Sequence, residues 1–468
     1  MTNPPEMADA QAKSRPWRRV FRDLSREHGL EPLRIEGRIP AALRGVLYRN
    51  GPSTFAMGSE PYEHWFDGDG AITAVRIENE KAQGAVRFVN TPWFNKERRA
   101  NRQLYRSYAQ FGRGWRRWFT LPKNPANISV LPWGDKLLAL WEAGLPIEMD
   151  PNTLETVGAT NLGGRIGPTF SAHPHDNGRE ILNFGVHYGP TFSLDIFSLG
   201  PEVARIANHP LRFPTLIHDF VASENQIVFF CSPVRLRLMH LALGLAPFDD
   251  NLIWQPEQGT EILVVPRKAP EKAVRFEVPA FFQWHFVNAW DEGDTVVVDY
   301  LRYADWETNH WFGRAPWECQ PVPPSTYSRA RVNVAERKFQ NEVLSAVPSE
   351  FPAISKADVT CPHAAAWMLC FEDAEARAGR APPVLGRIDA RTGAVETISF
   401  GADTFPTEPI VVPTDDGNTW VLTQVYDGRQ DLTYVAILNA ARPGDDAVAK
   451  LWFDHPIPFT FHGAWKAS

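Results

Sequence analysis

The fold is decided by a strand–turn–strand unit that is clearest in Gly386–Thr397, GRIDARTGAVET. Its two short strand-like runs flank a turn that contains Asp and Gly, the chemistry typical of a tight β-hairpin. The same unit occurs where Leu137–Trp141 is followed by Asp150–Gly158. Repeated hairpins build the blades of β-propellers. Because the repeats are degenerate, the residues alone predict a propeller without giving its number of blades.

Short strand-like segments continue along the chain, and most are bounded by Gly, Pro, Asn or Asp, as turns require. The 40 Pro and 32 Gly interrupt the sequence too often for long helices. We therefore predict an all-β protein. Its clearest strands are Lys136–Trp141, Glu180–Val186, Gln226–Phe230, Glu261–Val265, Thr295–Tyr300, Thr419–Val425 and Leu432–Leu438.

Composition narrows the class of protein further. Residues 1–16 are polar and Pro-rich, which predicts a disordered segment, and residues 17–468 are predicted to form a single propeller domain with cap insertions. A formal charge of −7 gives no general attraction to nucleic acid. The sequence shows no signal peptide, no spanning apolar run and no disulfide framework. We expect a cytoplasmic protein that is at most peripheral on a membrane.

Four histidines lie in aromatic, strand-like segments of the kind that fill protein cores: His173, His218, His285 and His462. A buried imidazole needs a partner for each nitrogen, and one transition-metal ion would satisfy four of them together. Their spacing suits one histidine on the inner strand of each of several blades, and inner strands meet at the propeller axis. The alternative is that they are core residues, or hold an inert zinc, in a non-catalytic propeller scaffold.

Three glutamates stand in apolar or proline-flanked settings: Glu142, Glu350 and Glu408. Four neutral imidazoles leave the charge of a metal ion uncompensated, and metal-bound histidines usually donate their other N–H to a carboxylate. We interpret the glutamates as such partners, although surface turns would explain each of them equally well. Ligand type alone leaves iron, copper, zinc and nickel open.

The order of these motifs resembles that of the carotenoid cleavage oxygenases, a non-haem iron family that includes apocarotenoid oxygenases and stilbene-cleaving dioxygenases. The resemblance extends from about Leu33 to Trp465, and so many ordered motifs make it specific. The motifs are Tyr48–Pro52, His64–Gly70, Ala172–Pro174, Ile217–Phe220, His285 with Asn288 and Ala289, Glu408–Ile410, and Phe461–Gly463.

The resemblance implies a seven-bladed β-propeller with a helical and loop cap over the axial face that carries iron. It implies Fe(II) as the cofactor, with the ligands His173, His218, His285 and His462. Three of these histidines would be hydrogen-bonded by Glu142, Glu350 and Glu408, which stand at the family's positions for outer carboxylates. His175 is not expected to be a ligand, because the family uses the histidine before the proline.

The implied reaction is cleavage by O2 of a conjugated double bond in an apocarotenoid or carotenoid, giving aldehydes. A polyene needs a long apolar tunnel, and Trp141 and Ile128 are the predicted substrate contacts. Stilbene-cleaving relatives carry Lys at the position of Trp141, which favours an apolar substrate here. Cleavage of stilbenes or phenylpropenes, of the lignostilbene type, is the alternative. Ile128 stands where many relatives have a threonine near the iron.

Two segments bear on partners. Pro233–Leu245 is apolar with two arginines and predicts an interfacial helix, which in the resembling family lies near the tunnel mouth; a helix that caps the propeller face is the alternative. We interpret a second, basic and aromatic segment as a lipid-facing or solvated surface and not as a nucleic-acid site. It contains Arg98, Arg99, Arg102, Arg106, Arg113, Arg116 and Arg117 with Tyr105, Trp115 and Trp118. The oligomeric state is left open.

Overall fold

Strands dominate the computed structural model of this chain, which describes residues 15–111 and 122–468. In chain order they are β1 His28–Pro32, β2 Arg34–Gly37, β3 Gly45–Pro52, β4 Ala56–Met57, β5 Glu60–Pro61, β6 Gly70–Glu78, β7 Lys81–Phe88, β8 Ser129–Trp133, β9 Lys136–Leu140, β10 Ile147–Met149, β11 Thr156–Ala159, β12 His175–Asp176, β13 Ile181–Tyr188, β14 Phe192–Leu199, β15 Val203–Pro210, β16 Val221–Ala222, β17 Gln226–Cys231, β18 Val234–Leu236, β19 Leu252–Trp254, β20 Thr260–Pro266, β21 Val274–Val278, β22 Phe286–Glu292, β23 Thr295–Tyr303, β24 Ser325–Asn333, β25 Lys338–Ser345, β26 Ser349–Ala353, β27 Ala365–Cys370, β28 Val384–Asp389, β29 Val395–Ile398, β30 Thr404–Pro406, β31 Ile410–Pro413, β32 Thr419–Asp427, β33 Leu432–Asn439, β34 Ala449–Trp452 and β35 His462–Ala467.

The helices are short. The α-helices are α1 Pro92–Ala100, α2 Leu238–Ala242, α3 Glu307–Arg314 and α4 Ala374–Arg377. The 3₁₀ helices are Pro16–Val20, Trp65–Asp67, Asp249–Asn251, Pro256–Gln258, Pro270–Lys272 and Lys356–Asp358. In the described part of the chain, no helix is long and apolar enough to cross a membrane. The predicted disordered segment 1–16 lies outside the described residues, apart from Arg15 and Pro16.

Seven sheets of four to six antiparallel strands form the blades of a β-propeller, as the resemblance implied. We number the blades along the chain. They are blade 1 (β8–β11), blade 2 (β12–β15), blade 3 (β16, β17, β20, β21), blade 4 (β22–β25), blade 5 (β26–β29), blade 6 (β2, β30–β34) and blade 7 (β1, β3, β6, β7, β35). Two further pairs, β4 with β5 and β18 with β19, are insertions between blade strands.

The two ends of the chain close the ring. Strand β35 pairs with β3, so that His462 lies opposite Asn50, and β35 also contacts β8 of blade 1. Inner strands of neighbouring blades meet in the same way, as β16 does with β22 and β22 does with β26. This closure brings the last histidine of the sequence to the axis.

The predicted strands are all present, with small differences at their ends; Thr295–Tyr303, for example, extends three residues past the predicted limit. Many central strands are buried on both faces, as in Leu137–Leu140, where every side chain is 0% exposed. Strands buried on both sides are continuous apolar runs and do not alternate. This is why these strands could be predicted from the sequence.

The prediction of a helix over Pro233–Leu245 is wrong for its first part. Val234–Leu236 is strand β18, which pairs with β19 and is buried. Pairing with β19 satisfies the backbone polar groups of this buried segment. Only Leu238–Ala242 is helical.

The predicted basic surface also needs correction. Arg98, Arg99 and Arg102 are exposed, but Arg106 is buried and its Nη1 donates to the carbonyl oxygen of Leu241 at 3.1 Å. Arg106 therefore attaches its segment to α2 and does not face solvent. The remaining residues of that prediction, Arg113, Trp115, Arg116, Arg117 and Trp118, lie outside the described residues.

Candidate metal centre

The four predicted histidines come from the starts of four inner strands. His173 precedes β12, His218 precedes β16, His285 directly precedes β22, and His462 is the first residue of β35. Because the inner strands of blades 2, 3, 4 and 7 converge on the axis, their first residues converge as well. The fold therefore brings the four predicted residues near one another; that they hold one metal ion stays a prediction.

The imidazole rings lie side by side. The ring centroid of His173 is 4.3 Å from that of His218, 5.2 Å from that of His285 and 4.8 Å from that of His462. The His285 and His462 centroids are 5.0 Å apart. One nitrogen from each of His173, His218 and His285 can be chosen so that all three lie within 4.8 Å of one another. Such a cluster has the donor set and spacing of a transition-metal site.

The imidazole nitrogens that lack a hydrogen-bond partner indicate whether a metal ion fits this cluster. Among the described residues, Nε2 of His173, His218 and His285 is buried and has no hydrogen-bond partner. Buried polar atoms without a partner are rare in folded proteins because each costs free energy. Burial, with the neighbouring histidines, also lowers the pKa of His173 well below its usual value, so this imidazole is neutral. Neutral imidazoles with open nitrogens are what a bound transition metal requires.

Each of the three predicted glutamates contacts a different histidine. Oε2 of Glu350 lies 2.5 Å from Nδ1 of His285. Oε1 of Glu408 lies 2.7 Å from Nδ1 of His462. Glu142 contacts Nδ1 of His218 through Oε1. In each pair the carboxylate lies at Nδ1 and not at Nε2, which is the usual position of a carboxylate beside a metal-bound histidine.

Two of these glutamates are held by further hydrogen bonds. The hydroxyl of Tyr303 donates to Oε1 of Glu350 at 2.7 Å. The backbone N–H of Gly463 donates to Oε2 of Glu408 at 2.7 Å. Both bonds orient a carboxylate before any metal binds. Gly463 belonged to a recognised motif, whereas Tyr303 carried no signal because its partner lies in another blade.

A large cavity approaches the histidines from the side on which α2 lies, which we call the cap side. It has a volume of about 1340 Å³, and its wall is mainly apolar, with Phe66, Leu145, Phe192, Leu238, Leu241 and Trp284 among the lining residues. The predicted substrate contacts Trp141 and Ile128 both line it, as does Glu142. Trp284 marks its inner end, because the ring centroid of this residue is 4.6 Å from that of His218.

The tyrosine hydroxyls in this wall have partners within the protein. Tyr108 donates to Oδ1 of Asn309 at 2.7 Å, and Tyr188 donates to the carbonyl oxygen of Thr215 at 2.7 Å. Both residues line the cavity. Because their donated protons are already used, these tyrosines present mainly their ring surfaces to a ligand.

Comparison with known proteins places this geometry in a family. The model of the family described as RPE65, retinal pigment epithelial membrane protein, matches residues 21–467. An apocarotenoid-15,15'-oxygenase from Synechocystis sp. is 29% identical over 99% of both chains. An isoeugenol monooxygenase from Pseudomonas putida is 32% identical over 58% of this chain and 57% of the relative.

A solved structure is similar over nearly the whole fold. The crystal structure of cobalt-substituted Synechocystis ACO superimposes with a TM-score of 0.87 at 26% identity, covering 97% of this chain and 98% of the other. The family match over residues 21–467, with these similarities over nearly the whole chain, shows that this chain belongs to the RPE65/carotenoid oxygenase family.

Proposed function

We propose that this protein is an Fe(II)-dependent dioxygenase that cleaves a conjugated C=C bond of an apocarotenoid or carotenoid to two aldehydes. The observation that carries the proposal is a large, mainly apolar cavity whose wall includes Glu142 and Trp284, both of which contact His218 of the histidine cluster. The similarity to an apocarotenoid oxygenase over 99% of both chains supports it.

In this proposal His173, His218, His285 and His462 hold the iron through Nε2. When bound, the iron supplies the activation of O2 that oxidative cleavage of an alkene requires. Glu142, Glu350 and Glu408 keep the imidazoles oriented by accepting from Nδ1, and their negative charge offsets that of the ion.

The cavity wall positions the substrate. Trp141 and Ile128 line it close to Glu142, where they would pack against a flat polyene and exclude water from the reacting bond. Because the tyrosine hydroxyls donate to protein groups, the wall favours hydrocarbon over phenol. Trp141, in the place of a lysine that could bind a phenol, has the same effect.

Cleavage of a stilbene or phenylpropene is the second candidate function. The similarity to an isoeugenol monooxygenase supports it, and so does the presence of Tyr108 in the cavity wall. A phenolic substrate would donate to the Tyr108 oxygen, which can still accept although its proton goes to Asn309. The two candidates differ in the substrate that gives the higher kcat/KM.

We also propose that the segment around α2 contacts a membrane peripherally. Met239 is 71% exposed, Leu243 54% and Leu245 52%. Met239 and Leu241 also line the cavity. An exposed apolar patch beside a cavity for a lipid-soluble substrate is suited to the headgroup boundary of a bilayer.

The test is to purify the protein without oxygen, measure its metal content, and assay the Fe(II)-loaded protein with an apocarotenal under O2. We expect about one iron per chain, as a single four-histidine site requires, loss of polyene absorbance, and two carbonyl products. Iron with turnover of a hydroxystilbene alone would favour the second candidate. Protein that takes up no iron would contradict both candidates and leave a propeller scaffold.

A further inference from the structure

A second cavity reaches the histidines from the opposite direction. It has a volume of about 450 Å³ and is lined by residues from all seven blades, so it lies along the propeller axis. His173, His285 and His462 form part of its wall. We call this cavity the axial channel.

The axial channel differs chemically from the substrate cavity. Its wall contains the carboxylates of Asp176, Asp219 and Glu408 and the lysines Lys356 and Lys466. A hydrated divalent cation loses little solvation next to carboxylates, whereas an apolar wall imposes the full cost of desolvation. The substrate cavity suits a polyene, and the axial channel suits an ion.

An ion pair crosses the axial channel at its outer end. Nζ of Lys356 lies 2.5 Å from Oδ2 of Asp176, although Asp176 ends β12 in blade 2 and Lys356 follows β26 in blade 5. These blades are not neighbours in the ring, so a bond between their inner segments must span the space around the axis. Both residues also line a surface depression on the outside, which places the pair between the channel and solvent.

The Lys356–Asp176 ion pair is partly exposed, and its lysine side chain can move. The Lys356 and Asp176 side chains are 46% and 32% exposed, and exposed ion pairs are weak. The stem of Lys356 lies over Gly178, where a Cβ atom would be 3.5 Å from Cε. Rotation of one lysine side chain would therefore open the outer end without disturbing a blade.

We propose that the metal ion reaches the four histidines through the axial channel and that the Lys356–Asp176 pair is the gate of this route. The inference rests on the metal centre of the proposed function. In this inference the polyene enters through the cavity on the cap side, and the metal ion enters through the axial channel on the opposite side. The gate slows both loading and loss of the ion.

The test is the rate of Co(II) uptake by metal-free protein, followed by the Co(II) absorbance in a stopped-flow instrument, and the rate of Co(II) release to EDTA. The main variant is Lys356→Met with Asp176→Asn, which removes the pair without changing net charge. We expect uptake and release to accelerate by about two- to fivefold, because an exposed ion pair opposes opening only weakly. The final content should stay at about one Co(II) per chain.

The matched control is Lys338→Met with Glu336→Gln. These residues form an exposed Lys–Glu pair, with Nζ and Oε2 2.6 Å apart, at the outer strand of blade 4. This control variant should take up Co(II) at the wild-type rate. The single variants Lys356→Met and Asp176→Asn separate gating from charge: a gate predicts that both accelerate uptake, whereas electrostatic attraction alone predicts opposite effects.

Three results would overturn the proposal. The double variant and the wild type could load at the same rate, the control could accelerate equally, or the single variants could act in opposite directions while the double variant stays unchanged. Wild-type protein that takes up no Co(II) at equilibrium would instead overturn the metal centre itself, and the route with it.

Discussion

Nδ1 of His285 lies 2.5 Å from Oε2 of Glu350, and both side chains are buried. Burial alone would raise the pKa of Glu350, but the close contact and the hydrogen bond with His285 lower it below the usual value. Tyr303 holds the other carboxylate oxygen. The glutamate is therefore a fixed, charged acceptor that orients one imidazole towards the axis.

Replacement Glu350→Gln tests this relationship. Gln can still accept from Nδ1 but carries no charge, so we expect Fe(II) affinity to fall by about 10- to 100-fold while the fold is kept. Competition with a chelator of known affinity measures the change. Glu375→Gln, at an exposed glutamate paired with Arg380, is the control and should bind metal like the wild type. Equal affinities in all three proteins would contradict the role of Glu350.

The two neighbouring histidines of blade 2 should behave differently. His173→Ala removes a free nitrogen of the cluster, so we expect iron content to fall from about one per chain to near zero. His175→Ala lies only two residues away and also lines the axial channel, yet iron content should be unchanged. Metal analysis after anaerobic reconstitution gives both values. Loss of iron in the His175 variant with retention in the His173 variant would reverse the assignment.

Trp141 should control the choice between hydrocarbon and phenol. Trp141→Lys places an ammonium group in the cavity next to Glu142, where it can bind a phenol but repels a polyene. We expect kcat/KM to shift towards a hydroxystilbene and away from an apocarotenal by about tenfold or more. Trp141→Met, which has a similar length and no charge, is the matched control. A similar shift in both variants would show that lost ring packing, and not charge, sets the preference.

Asp67 should make stability depend on pH. Burial raises its pKa to about 6, although it accepts hydrogen bonds from Ser107 and from the backbone of Ala109 and His64. An unfolded aspartate titrates near 3.8, so the folded protein binds the extra proton between these values. The stability that Asp67 contributes is present below pH about 4 and is lost as pH rises through about 6.

Asp67→Asn stays uncharged at every pH. Relative to this variant, the wild type should lose up to about 3 kcal/mol of unfolding free energy between pH 4 and pH 7. Denaturant unfolding at several pH values measures the difference. Asp445→Asn, at an exposed turn, should follow the wild type. Parallel pH curves for the wild type and the Asp67 variant would show that the buried carboxyl is already charged at pH 4.

The exposed side chains around α2 should carry membrane binding. With Met239, Leu243 and Leu245 replaced by Ser, we expect binding to lipid vesicles to weaken by about tenfold or more, because each apolar side chain contributes by its buried area. Sedimentation with vesicles measures it. Val157→Ser with Val343→Ser, at positions that are 68% and 53% exposed on other surfaces, is the control. Equal loss in both proteins would contradict a specific patch.

The local parts of the fold could be predicted because their causes are local. Gly386–Thr397 forms β28, a turn and β29, since Asp389 accepts from the backbone of Arg391 and Thr392 within the same turn. The prediction failed at Val234–Leu236, where an apolar run suits a helix or a strand equally. Its partner β19 follows later in the chain and decided between the two.

The sequence by itself determined the chemistry of this protein: four imidazoles and three carboxylates in apolar surroundings, carried by strands and tight turns. Only the tertiary structure decided which groups meet. Glu408 reaches His462 over 54 residues, and Lys356 reaches Asp176 over 180. Strands and turns form through residues that are close along the chain, whereas these contacts depend on how seven blades close around one axis. The two cavities, and the separate routes that we propose for the polyene and the metal ion, exist only after that closure.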